Sequence, residues 1–265
     1  MEPHSTAARA WLAGLEDKPA ASLTLLCFGA AGSGGSQFMA WNRQLPPWLR
    51  VVAVQLPGRE RRHREPPFTR LDALADALAA AIEAARLEPF ACFGHSFGAL
   101  LAYETIRALR RAGGTQACHL CVVGRDAPHL SLAYAKTYHL PDAELVAILR
   151  QHGAFDARLL DAMDLLRFFL PLIRADLEMN TEYVHRCEPP LTLPLTALRG
   201  TDDPVCDSTR LQRWSELTTG RFDERSCSGD HFFFRARPAE LFEILSATLA
   251  PYADRSEEPA SRPPG

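Results

Sequence analysis

The chain has 265 residues, 47% of them hydrophobic and 23% charged, with a formal net charge of -3. That length suits one large α/β domain or two small ones, and it buries a full core without disulfides or metal. The slightly acidic balance argues against a nucleic-acid binder, and no apolar stretch approaches the length of a membrane span.

The first residues, Met1-Glu2-Pro3-His4-Ser5, lack the basic head and apolar run of a secretory signal. The seven cysteines are scattered and odd in number, and several fall in strand-like runs. This predicts reduced, buried thiols in a cytoplasmic protein. Cys118-His119-Leu120-Cys121 resembles half a zinc site, but no second ligand pair follows at a fitting spacing, so the segment is read as core.

In chain order, residues 1–20 form a weakly patterned N-terminal extension with a short helix expected around Ala8 to Leu15. Strands are expected at Ser22–Phe28, Val51–Leu56, Pro89–Phe93, Cys118–Val123, Leu193–Leu198 and Phe222–Cys227. Between them lie a turn-rich stretch at Gly29–Ser36, a basic run Arg59–Arg64 read as a solvated loop, and helices at Leu71–Ala85 and Ala99–Arg111. Pro238–Leu249 closes the pattern, with proline at the first helical turn. The tail from about residue 253 to 265 is charged and proline-rich, and is expected to be disordered.

Strands alternating with helices predict an α/β fold with a mostly parallel sheet flanked on both faces. The alternation stops between Val123 and Leu193. Helices are expected there at Ala143–Gln151 and Leu159–Leu170, with a further segment opened by Pro171. An insertion at about 130–187 that leaves the sheet after a strand and later rejoins it is read as a helical lid, its apolar face lining a channel for an acyl chain. The remaining domain spans 21–252.

The chemistry centres on Gly94-His95-Ser96-Phe97-Gly98, between a strand-like run and a helical one. G-x-S-x-G alone arises by chance in roughly one chain in ten of this length, so the strand-turn-helix context carries the weight. A serine hydroxyl needs a base, usually a histidine held in one tautomer by a carboxylate. Two later loops follow strand ends: Gly200-Thr201-Asp202-Asp203-Pro204 and Gly229-Asp230-His231-Phe232. His231 is the last histidine in the chain and the candidate base. His95 leaves the turn in a different direction from Ser96 and is read as packing. The orienting carboxylate is open between Asp202 and Asp203, with Asp230 a poorer choice beside His231. One oxyanion donor is the backbone N–H of Phe97, and the other comes from the small-residue loop Gly29–Ser36. That loop lacks the lysine of a phosphate-binding loop and the spacing of a dinucleotide fingerprint.

With these motifs in place the chain resembles the type II thioesterases, discrete editing hydrolases of polyketide and nonribosomal peptide synthases in the α/β-hydrolase superfamily. The resemblance spans about residues 22 to 250. It is carried by Leu56-Pro57-Gly58-Arg59-Glu60, Gly94–Gly98, Leu170-Pro171-Leu172-Ile173-Arg174-Ala175-Asp176, Gly200–Pro204 and Gly229–Phe233. It implies Ser96 as nucleophile, His231 as base, Asp203 as the orienting carboxylate, and the N–H groups of Ala31 and Phe97 as the oxyanion hole. It implies no cofactor and no metal, and as partners acyl or peptidyl carrier proteins bearing acyl-phosphopantetheine. Two positions depart from the family pattern: Gly29-Ala30-Ala31-Gly32-Ser33 stands where Pro-His-Ala-Gly-Gly is usual, and Phe97 where methionine is usual. Both changes keep the backbone donors and are expected to reshape the pocket mouth. The same triad would also serve a carboxylesterase or lipase, a chain-releasing thioesterase, or an idle hydrolase fold docked on a synthase.

Overall fold

The computed structural model describes residues 6–131, 135–151, 153 and 163–253. In chain order the elements are α1 (Thr6–Trp11), β1 (Leu12–Ala13), β2 (Leu23–Phe28), α2 (Ser36–Met39), β3 (Leu49–Val54), α3 (Leu71–Ala85), β4 (Phe90–His95), α4 (Phe97–Arg111) and β5 (Leu120–Val123). They continue with α5 (Asp142–Gln151), α6 (Met163–Thr181), β6 (Leu195–Gly200), α7 (Ser208–Gln212), β7 (Phe222–Cys227), α8 (Phe233–Ala236) and α9 (Pro238–Ala253). The strands form one sheet in the order β1-β3-β2-β4-β5-β6-β7. All neighbours run parallel except β1, which pairs antiparallel with β3. This is the α/β-hydrolase architecture, a mostly parallel sheet flanked by helices with a helical insertion.

The strands at the middle of the sheet are buried along their whole length, as continuous apolar runs covered on both faces must be. Successive side chains alternate between two cores. Leu26, Phe28, Cys92, Leu120 and Val122 pack with α3 and α4. Leu25, Cys27, Ala91, Phe93 and Cys121 pack on the other face with Phe38, Trp41 and the Leu241 and Leu245 of α9. Burial pushes the Cys27 and Cys92 thiols well above their ordinary range. β7, rich in charge, takes the sheet edge.

Three local readings differ from the sequence expectation. The first helix stops at Trp11, because Leu12 and Ala13 complete the open edge of β3, opposite Val54 and Ala53. Pro171 does not open a new segment: α6 runs through it. Proline forfeits one helical hydrogen bond, but apolar residues on both sides of it, Leu166, Leu170 and Ile173, are buried against Leu145, Val146 and Leu149 of α5, and this packing holds one continuous helix. Arg59 does not belong to a solvated loop. It is 5% exposed and forms a two-pronged ion pair with Asp176 of α6, itself 0% exposed. Arg62 likewise lies over the Trp11 ring, 4.0 Å from its centroid. A run of charges alone does not reveal which arginines find a buried carboxylate or an aromatic face. Residues 254–265 and 154–162 lie outside the described residues, and with them the expected disordered tail and the start of the expected helix at Leu159.

His119 enters the core just before β5, with Nε2 2.9 Å from Thr196 Oγ1 and Nδ1 3.1 Å from the Tyr252 hydroxyl. Burial pushes its pKa down to about 4, and burial also holds His95 well below the usual histidine range. An unfolded histidine titrates near 6.5, so as pH falls from there toward 4 the unfolded chain takes up protons that the native state refuses. His119 therefore contributes stability at neutral pH that is lost on acidification through this window, on the order of 3 kcal/mol in full. Denaturant titrations at pH 7.5 and 5.0 should show a smaller acid loss for His119→Gln than for wild type; equal losses would remove His119 from the account.

Candidate active site

β4 delivers the chain to Ser96, whose backbone sits at φ 55 and ψ -117, a conformation few side-chain-bearing residues adopt. The turn is fixed by its surroundings. The Ser96 N–H donates to the Val123 carbonyl at 2.8 Å, and the Ser96 carbonyl accepts from Ala99 at 3.0 Å. A β-carbon on Gly94 would lie 2.4 Å from the Gly98 carbonyl oxygen, and one on Gly98 would lie 2.2 Å from that of Phe28. The two glycines of the motif are therefore demanded by the close approach of strand and helix. α4 begins at the next residue and points its unpaired N–H groups at Ser96. The Phe97 side chain turns away into the core, 0% exposed, so the family's methionine-to-phenylalanine change alters packing behind the turn and not the pocket mouth.

The loops after β6 and β7 bring Asp203 and His231 together. Asp203 Oδ2 lies 2.8 Å from His231 Nδ1. Asp203 Oδ1 accepts from the N–H groups of Val205 at 2.8 Å and Cys206 at 3.2 Å, which aims the carboxylate. A carboxylate only accepts, so His231 Nδ1 donates to it, and in the neutral imidazole the lone pair is then on Nε2. Asp202 is exposed, its N–H bound to the Gly229 carbonyl at 2.8 Å. Asp230 turns back to accept from the Phe232 N–H at 2.8 Å. His95 is 1% exposed; its Nε2 donates to the His231 carbonyl at 2.8 Å, and the two rings lie 4.7 Å apart. It packs beneath the His231 loop and does not share the serine's side of the turn.

Ser96 and His231 line one cavity of about 320 Å³ together with Ala31, Leu149, Leu177 and Pro204. A second cavity of about 270 Å³ also reaches Ser96 and is walled by Gly124, Arg125, Asn180 and Tyr183. Arg125, 7% exposed, donates to the Asn180 side chain and so pins α6 to the loop after β5. Among the described residues no group of three or more His, Cys, Asp and Glu side chains is placed to hold a metal ion.

Gly124, at the end of β5, is a site residue that carried no motif. Its φ is +61, and a β-carbon there would meet His231 Cε1 at 2.9 Å and Nδ1 at 3.1 Å. Only the neighbouring strand in three dimensions reveals it. Gly124→Ala should displace the imidazole and slow labelling of Ser96 by a fluorophosphonate probe by about 100-fold, the scale of an ångström-sized misplacement, with the circular dichroism spectrum retained; unchanged labelling would contradict the contact.

A family model described as a thioesterase domain matches residues 23–249. RedJ, a thioesterase from the prodiginine pathway of Streptomyces coelicolor, superposes with a TM-score of 0.81 at 41% identity, covering 87% of each chain. BorB, the type II thioesterase of the borrelidin biosynthetic cluster, gives a TM-score of 0.82 at 33% identity over 95% of this chain and 100% of its own. Among curated proteins, Thioesterase PikA5 of Streptomyces venezuelae is 35% identical over 241 residues, 90% of this chain and 85% of PikA5. The chain therefore belongs to the thioesterase family, as a type II thioesterase of the α/β-hydrolase superfamily.

Proposed function

We propose that the protein hydrolyses acyl thioesters on the phosphopantetheine arm of acyl or peptidyl carrier proteins, and so clears aberrant or stalled acyl groups from a polyketide or nonribosomal peptide synthase. The observation that carries this reading is the Asp203–His231 bond of 2.8 Å in the wall of a cavity shared with Ser96. His231 Nε2 takes the Ser96 hydroxyl proton while Oγ attacks the thioester carbonyl. The carbonyl oxygen becomes an oxyanion and is met by the N–H groups of Ala31 and Phe97, at the positive end of α4. The C–S bond then breaks, and the proton on His231 Nε2 passes to the departing sulfur, which frees the ring to act as base again. A thiol ionises near pH 8.5, so the thiolate leaves with less protonation than an amine requires. Water, deprotonated by His231, attacks the acyl-serine; collapse returns the proton to Ser96 and frees the acid.

Asp203 is the orienting carboxylate in this scheme, because it alone of Asp202, Asp203 and Asp230 bonds the ring nitrogen. The reaction needs no cofactor. Ile148, Leu149 and Leu177 give the shared cavity an apolar wall suited to an acyl chain. The insertion at about 130–187 is assigned as the lid over the 21–252 domain, with residues 1–20 an N-terminal extension to it. The carrier-protein partner is inferred from the similarity to YbtT, a type II thioesterase from the yersiniabactin NRPS/PKS biosynthetic pathway. Among the described residues no helix is long and apolar enough to cross a membrane. A cytoplasmic location is proposed from the free thiols, which include the exposed Cys187.

The test is intact-mass spectrometry of carrier proteins loaded with acetyl, propionyl and longer acyl groups. Wild type should remove the acyl mass, and Ser96→Ala should lower the rate by several orders of magnitude. Turnover by Ser96→Ala near the wild-type rate would overturn the assignment. Brisk aryl-ester cleavage without loss of any carrier-bound acyl group would favour a general esterase.

A further inference from the structure

Neither Arg59-Glu60 nor Asp176 has a part in the chemistry above, yet all three bind one loop. Asp176 accepts from Arg59 Nη1 on Oδ2 at 2.8 Å and from Nη2 on Oδ1 at 2.9 Å. The same Oδ2 accepts from the Gly32 N–H at 2.7 Å. Arg59 Nη1 also donates to the Ser33 carbonyl at 3.1 Å. Glu60 Oε1 accepts from the Ser36 N–H at 3.0 Å and from its hydroxyl at 2.5 Å. Residues 32, 33 and 36 are thus held from outside, immediately beyond Ala31.

The loop needs such restraint. Gly29–Ser36 is built of glycine, alanine and serine, and glycine-rich backbone has the greatest conformational freedom to lose. An oxyanion donor helps only if its N–H is aimed before charge develops. Net stability is a poor reason for the arrangement, since burying an arginine–carboxylate pair incurs desolvation that offsets its attraction. What a two-pronged pair supplies is direction. We propose that Arg59, Glu60 and Asp176 are positioning residues that clamp the Gly32–Ser36 loop and thereby aim the Ala31 N–H at the oxyanion formed on Ser96. The inference rests on the acyl-transfer reading above. It gives a task to the two sequence segments, Pro57–Glu60 and Arg174–Asp176, that the reaction itself leaves unused, and it makes α6 part of the frame of the oxyanion hole.

The test uses the full chain, with active sites counted by fluorophosphonate titration. For Asp176→Ala, kcat per titrated site should fall about 100-fold with KM within about threefold, the scale expected for a misplaced donor. Affinity for a trifluoromethyl ketone, which mimics the tetrahedral oxyanion, should fall by the same factor, while affinity for an unreactive thioether analogue should hold. Asp176→Asn keeps an acceptor for Gly32 and should lose less. If Asp176→Ala does not fold, the decision passes to Glu60→Ala at the partly exposed end of the clamp, expected to lose about tenfold in kcat and to be largely rescued by Glu60→Gln. A wild-type kcat per site in Asp176→Asn and Glu60→Ala overturns the clamp, as does an equal loss of thioether and ketone affinity. Failure of the wild type itself to turn over any thioester or ester is a different outcome, one that overturns the acyl-transfer reading on which the clamp depends.

Discussion

The site depends on a backbone constraint, the turn at Ser96. A serine at φ 55 between a buried strand and a buried helix is a strained residue held in place by what surrounds it. The approach of β4, α4 and the end of β2 leaves no room for side chains at residues 94 and 98. Strain that a flexible segment would relax is retained here because the helix behind the serine is buried through nearly its whole length. The hydroxyl therefore stands clear of the sheet at a fixed point, and every other group in the site is placed relative to it.

Parallel strands set those placements. Each strand from β2 to β7 ends in a loop at the same edge of the sheet; the loop after β3 carries Arg59, and each of the others brings something different. β2 leads into the loop of Ala31, β4 into Ser96, β5 into Gly124, β6 into Asp203 and β7 into His231. The register supports this convergence, since Phe28 lies opposite Gly94, His95 opposite Val123 and Gly200 opposite Cys227. Open parallel sheets gather ligand sites at the carboxyl ends of their strands because the loops there are free to vary while the ladder is not.

Polar burial marks where the helical insertion meets this edge. Asp176 and Asn180 lie one helical turn apart on α6, both buried, one joined to Arg59 and the other to Arg125. Such pairs give direction more than stability. They hold the end of α6 against the loops after β2, β3 and β5, while the apolar side of its earlier turns packs on α5.

The sequence by itself determined the features whose causes are local. The Gly94–Gly98 turn, the apolar strands, the 3.6-residue period of α3 and the serine, aspartate, histidine order are all written in short stretches of chain, so they were legible there. Tertiary structure decided the rest. Asp202 and Asp203 are chemically identical neighbours, and only the direction of the loop after β6 sends one to the His231 ring and the other to solvent. Arg59 is indistinguishable in sequence from the exposed arginines beside it until Asp176, 117 residues away, supplies a buried partner. Pro171 breaks helices by local rules, yet burial of its neighbours against α5 outweighs the lost hydrogen bond. Gly124 carries no motif at all; its need arises from a histidine ring delivered by another strand. In each case the deciding contact is between residues far apart in the chain, and its energy exists only once the fold has brought them together.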